Sequence, residues 1–224
     1  MPSKNTLKIY IKNGYYHLYN RGVEKRKIFQ DEQDYAVFLS YLKIYLLPKD
    51  ENNLKKLLLN SDLDYRERDN TLRLLNLNNF ADEITLLAYC LMPNHFHLLL
   101  KQKSENSIDV FMRSLCTRYT MFFNKKNKRV GPLYQSVYKA VAVESQDQLL
   151  YLTSYIHRNP VTKKHDYFSQ PSSLPEFFNQ RKTSWIHPEE ILPYFSKTNP
   201  NLSYQNFVKQ SDQSPLINKL LIDN

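Results

Sequence analysis

Leu86 to Leu100 reads LLAYCLMPNHFHLLL, an apolar run interrupted by Pro93-Asn94. Apolar and β-branched residues from Ile84 to Leu91, and again from His95 to Gln102, predict two adjacent antiparallel strands with the Pro-Asn pair as the tight turn between them. Side chains alternate across a strand, so His95 and His97 project from one face while Phe96 points into the core. Two imidazoles held in this way can grip one metal ion and leave coordination positions free for substrate. On its own the pattern also describes two histidines on a solvated sheet face, which is the commoner case.

Working outward, Tyr15 to Asn20 (YYHLYN) predicts a short aromatic strand ended by a turn at Arg21-Gly22. Asp31 precedes a helical pattern through Tyr35, Phe38, Leu39, Leu42, Tyr45 and Leu46, closed by Pro48. Residues 49–80 are rich in Asn, Asp, Lys and Leu with weak periodicity, and read as an α-helical insertion of at most two short helices. From Ser107 the spacing of Ile108, Phe111, Met112, Leu115, Tyr119 and Phe122 predicts a helix to about Asn124, followed by a basic loop. Val137 to Val143 (VYKAVAV) predicts a further strand, and Gln146 to Arg158 a helix ending at Asn159-Pro160. This order suits an α+β fold, a ferredoxin-like antiparallel sheet with helices packed on one face. Residues 1–165 form the main domain in this reading. Residues 166–224, marked by Pro171, Pro175, Pro188, Pro193, Pro200 and Pro215 and by helical patches such as Tyr204 to Lys209, form a C-terminal extension.

Composition narrows the function classes. With 224 residues, 42% hydrophobic residues and only 3 Gly against 17 Tyr, the chain is globular, with one main domain. A formal charge of +9 points to a polyanionic partner, nucleic acid first, because Lys and Arg that neutralise phosphates release condensed counterions. The basic residues line no obvious amphipathic helix, which disfavours a membrane surface. The start MPSKNTLKIYIKNGYY lacks a long apolar stretch, and no segment approaches the roughly 18–20 apolar residues that span a bilayer, so a soluble protein is expected. Cys90 and Cys116 lack metal-type spacing and read as buried free thiols of a reducing, cytoplasmic compartment.

Tyr155-Ile156-His157-Arg158-Asn159 closes the last predicted helix. Residues four apart share a helix face, so Tyr155 and Asn159 project together if the final turn reaches Asn159. If that face meets the His pair, two imidazoles and an amide oxygen surround one ion beside a phenol able to attack a phosphodiester. From spacing alone, Tyr155 is more simply one of many tyrosines packing in the core. His157 is rotated about 200° from Tyr155 and faces elsewhere. His165 and His187, in Pro-rich surroundings, are given no role.

Four segments in order carry a resemblance: YHLYNRG at 16–22, LMPNHFHLLL at 91–100, GPLYQSVYKAVAVE at 131–144 and YIHRNPV at 155–161. Together they resemble the single-tyrosine HUH transposases of insertion sequences, most closely the branch associated with repetitive extragenic palindromes (REP), over roughly residues 13–165. The resemblance implies an HUH nuclease-like fold and a divalent ion, Mg or Mn, held by His95 and His97 with Asn159 as third ligand. It also implies Tyr155 as the nucleophile that cuts single-stranded DNA at hairpin-forming ends, leaving a 5′-phosphotyrosine and a 3′-hydroxyl. A nucleoid-associated protein, monomer or homodimer, is the corresponding expectation. Relatives commonly carry a basic residue after the Gln of the GPLYQ-like motif; here Ser136 and Val137 stand in its place.

Two basic clusters are candidate nucleic-acid contacts: Arg21, Lys25, Arg26 and Lys27 after the first strand, and Lys125, Lys126, Lys128 and Arg129 after the long helix. Such contacts position a strand without reading its sequence. Any exposed members of Tyr16, Tyr19, Tyr134 and Tyr138 could stack on unpaired bases, although core packing is the simpler reading for most. His17 alternates with Tyr16 and Leu18 on a strand that can face the site, and a direct role is not the favoured reading. The competing functions are a protein that binds DNA hairpins without cutting them, and a metal-dependent hydrolase using water in place of Tyr155.

Overall fold

The computed structural model describes residues 9–160 and 167–210. In chain order these form β1 (Tyr15–Arg21), α1 (Glu32–Leu46), α2 (Glu51–Leu58), α3 (Tyr65–Asn76), β2 (Ile84–Met92), β3 (His95–Gln102), α4 (Ser107–Lys126), β4 (Lys139–Ala142) and α5 (Gln146–Arg158), then α6 (Leu174–Phe177) and α7 (Tyr204–Gln210). Capping side chains start the helices where the sequence places them. Asp31 accepts from the Asp34 N–H, Ser145 accepts from the Gln148 N–H, and Asp64 and Glu67 form a reciprocal capping box on α3.

The four strands are ordered β2-β3-β1-β4, and every neighbouring pair is antiparallel. Each strand-helix-strand crossover therefore skips one strand, β3 within the first and β1 within the second. This is the ferredoxin-like topology.

One sheet face presents Tyr16, Leu18, Phe96, Leu98 and Leu100 to Phe38 and Leu42 of α1 and to Phe111, Leu115 and Tyr119 of α4. The other presents Leu87, Ala88, Cys90 and Leu99 to Leu149, Leu152 and Ile156 of α5. A bulge between Leu86 and Ala88 in β2 brings both Leu87 and Ala88 into this second cluster. The crossover helices α1 and α4 thus share one face as expected, and α5 covers the other. The physical reason is that β2 and β3 are apolar on both sides, and two apolar faces need two covering layers.

The C-terminal segment completes that second layer. Leu174, Phe177, Tyr204 and Val208 join the α5 cluster. Backbone bonds run along the outer edge of β2, from Leu91 N to Pro171 O (2.9 Å), Ser173 N to Tyr89 O (3.1 Å) and His187 N to Leu86 O (2.9 Å). An edge that would otherwise expose unpaired backbone groups is covered. β4 is shorter than the predicted 137–143 because it pairs only with Tyr16–Tyr19 of β1, while Tyr138 turns to bond Asp109 (2.9 Å). Neither cysteine is in a disulfide; Cys90 is buried and Cys116 partly so. No helix among the described residues is long and apolar enough to cross a membrane.

Candidate active site

Strand register assembles the site on the α5 face of the sheet. Across the strands, Lys139, Tyr19, His97 and Cys90 lie in one row, Arg21, His95 and Met92 in the next, and Val141, His17 and Leu99 in the row on the other side. Residues opposite one another in a ladder share a face, so β1 contributes His17, Tyr19 and Arg21 to the face that carries the His pair. The rings of His95 and His97 meet edge to face at 5.0 Å between centroids, and those of His17 and His97 stack at 5.1 Å.

Above this face lies Tyr155 of α5. Its ring stands edge-on to His97 at 5.6 Å and to His17 at 6.3 Å, and its hydroxyl oxygen is shielded from solvent. Asn159 forms the C-cap of α5 with φ −51° and ψ −38°, still helical, so it shares a helix face with Tyr155. His157 turns the other way. It is fully buried, with Nδ1 2.7 Å from the Tyr204 hydroxyl and Nε2 2.8 Å from the Ser173 hydroxyl, locking α5 to the C-terminal segment. His187 is half-buried and bonds Glu189, and His165 lies outside the described residues.

The electrostatics favour neutral imidazole at the centre of the site. Burial, then the neighbouring His17, His95 and Arg21, hold the His97 ring well below the usual histidine range. His97 Nδ1 is 2.9 Å from His17 Nε2, while its buried Nε2 has no hydrogen-bond partner among the described residues. A buried nitrogen left open in this way fits a metal-ligating role, as does the donor set of two imidazoles on a rigid strand. No group of three His, Cys, Asp or Glu among the described residues is arranged to hold an ion.

The turn that begins β3 is clasped by the loop after β1. Gly22 N–H donates to Asn94 O (2.9 Å), and the N–H groups of Ile28 and Phe29 both donate to Pro93 O (2.7 and 3.0 Å). That loop carries Lys25 and Lys27, both exposed, beside the His pair. The segment with the GPLYQ motif runs along the same end of β1, through Val23 N to Leu133 O and Gln135 N to Arg21 O, each 2.9 Å.

The basic residues divide by their engagement. Lys25, Lys27, Lys125 and Lys128 are exposed. Lys126 is held by the carboxylates of Asp31 and of fully buried Asp34, each at 2.7 Å, and so is committed to the fold. Arg129 braces its own loop through Asn124 Oδ1 (2.6 Å) and Pro132 O (3.1 Å), and Arg26 pairs with Glu24 (3.2 Å). The possible base-stacking tyrosines are all buried, Tyr16 at 1%, Tyr19 at 2%, Tyr134 at 8% and Tyr138 at 4% exposure, so none offers a face to a base at the surface. Sequence reasoning passed over Lys139, whose Nζ lies 5.9 Å from the Tyr19 ring centroid on the site face, and Asn94, whose side chain bonds His95. An alternate-position lysine in VYKAVAV was the available signal for Lys139.

Over 82% of this chain and 96% of the other, the fold aligns with a REP-associated tyrosine transposase solved bound to a REP hairpin, at 12% identity and a TM-score of 0.49. A candidate transposase from Deinococcus radiodurans aligns over 72% of this chain and 100% of its own, at 16% identity and a TM-score of 0.27. No curated protein matches the chain. The profile of the family described as "Transposase IS200 like" matches residues 66–159, which include His95, His97, Tyr155 and Asn159. That stretch of the chain is therefore similar to the IS200-like transposases.

Proposed function

We propose that this chain cuts and rejoins single-stranded DNA at hairpin-forming ends through a covalent link to Tyr155. The observation that carries the reading is the approach of the Tyr155 ring to within 5.6 Å of the His97 ring inside one chain. His95 and His97 would hold a divalent ion, Mg or Mn, with the Asn159 amide as third ligand. When bound, that ion polarises the scissile phosphate and stabilises charge on the pentacovalent transition state.

The Tyr155 oxygen attacks phosphorus, forming the P–O bond to the phenol as the P–O3′ bond breaks. The phenol loses its proton and the departing 3′ oxygen gains one, so the step is proton-neutral. The products are a 5′-phosphotyrosine and a free 3′-hydroxyl, and reversal with another 3′-hydroxyl joins strands. Arg21, beside His95 in the sheet, would contact the scissile phosphate, and Lys25, Lys27, Lys125 and Lys128 would grip the flanking backbone. The hairpin named for the REP-associated structure is the partner class proposed here, reached in the nucleoid.

Incubation of the protein with a labelled hairpin oligonucleotide and Mn should give a protein-DNA band that survives denaturation. Tyr155→Phe should abolish the band and the cutting while sparing hairpin binding, and EDTA, His95→Ala or His97→Ala should stop cutting. Cutting retained by Tyr155→Phe would point to hydrolysis by water; binding without cutting by the parent would point to a hairpin-binding protein.

A further inference from the structure

We propose that Asn94 and His17 are positioning residues that preset the ring tautomers of the His pair, so that both Nε2 atoms face the site as lone pairs before any ion arrives. The inference rests on the metal-dependent reading above and deepens it, and it comes from the hydrogen bonds on the far side of each ring.

For His95 the assignment follows from Asn94. The Asn94 amide nitrogen donates to Lys25 O at 3.3 Å, which turns its carbonyl oxygen toward His95 Nδ1 at 2.6 Å. A carbonyl oxygen only accepts, so His95 Nδ1 carries the proton and Nε2 the lone pair. The Asn94 backbone is fixed in turn by Gly22, whose N–H donates to its carbonyl. The amide that orients His95 is therefore anchored at two points to the loop after β1.

For His97 the partner is another imidazole, His17, fully buried in the next strand, with Nε2 2.9 Å from His97 Nδ1. Two tautomer pairs satisfy that single bond. If His17 donated, His97 would carry its proton on Nε2, a buried N–H with no acceptor among the described residues. If His97 Nδ1–H donates to His17 Nε2, the open atom is a lone pair, and the Nδ1 on which His17 then carries its proton is not among the buried atoms that lack a partner. The second arrangement is also the one a ligating histidine needs, with its far nitrogen donating to an outer partner. Both ligands then reach the same tautomer by different means, a turn amide for one and a neighbouring strand's imidazole for the other.

The test reads tautomers and metal affinity separately from DNA cutting. Nitrogen-proton correlation NMR of the metal-free full-length protein should show His95 and His97 as Nδ1–H tautomers, and a His97 Nε2–H signal would overturn the assignment. Mn titration followed by EPR should show affinity about 10- to 100-fold weaker in His17→Phe and in Asn94→Ala. His17→Gln and Asn94→Asp, which keep an acceptor at each position, should recover most of the loss. Equal weakening in His17→Gln and His17→Phe would overturn the positioning role, and this comparison holds even if one variant is less stable. Failure of the parent protein to bind Mn would instead overturn the nuclease reading.

Discussion

Gly22 and Asn94 are joined by a backbone hydrogen bond of 2.9 Å that ties the end of β1 to the turn before His95. Gly22 has φ −59° and ψ 142°, a region open to any residue, so the glycine is there for space. A Cβ at this position would stand 2.3 Å from the Arg26 carbonyl oxygen, which is backbone and cannot swing aside. Gly22→Ala should therefore push the 22–29 loop off the turn, lowering stability by roughly 1–3 kcal/mol. Adduct formation measured well below the melting temperature should fall as well, because the turn that holds Asn94 moves. A variant with full stability and full adduct yield would contradict the clasp.

Lys126 and Lys128, two residues apart, should behave as opposites. Removing Lys126 leaves the buried Asp34 carboxylate with the Gln30 N–H but without its cation, so Lys126→Ala should lower the melting temperature, by about 1–3 kcal/mol in stability, with little change in the salt dependence of DNA binding. Lys128→Ala should leave the melting temperature unchanged and reduce the slope of log K against log salt by about 0.7–0.9, the loss of one phosphate contact. Thermal melts and binding isotherms at several salt concentrations distinguish the two.

His157 makes stability sensitive to acid. Burial pushes its pKa down to about 3, so the folded protein keeps the ring neutral where the unfolded chain, titrating near 6.5, takes up a proton. Its contribution is fully present above about pH 6.5 and is lost as pH falls from there toward 3, at a slope approaching 1.4 kcal/mol per pH unit, roughly. Urea melts between pH 7 and pH 4 should show the parent losing stability more steeply than His157→Gln. Parallel slopes would show that burial does not hold the ring neutral.

Element order was readable from the sequence because each strand and helix carries its own periodicity. The second covering layer was implicit in the apolar continuity of β2 and β3, whose Leu87, Cys90 and Leu99 had to be buried against something. Register was not readable: that His17 lies opposite Leu99, beside His97, depends on how β1 slides along β3, and a shift of one residue would have turned it into the other core. Charge was the least informative signal. Lys126 and Lys128 look alike in a basic run, and only the distant Asp31 and Asp34, brought close by the packing of α1 on α4, separate them. The tyrosines near the site were ambiguous for a similar reason, since an aromatic ring serves equally well in a core and on a base.

The helix that bears Tyr155 rests on the sheet of its own polypeptide, fastened there by Tyr204 and Ser173 through His157. Within one chain, then, the phenol and the imidazole pair already face one another. Mixing His97→Ala protein with Tyr155→Phe protein should consequently restore no cleavage, however concentrated the pair, whereas a helix traded between subunits would let two dead variants revive one another.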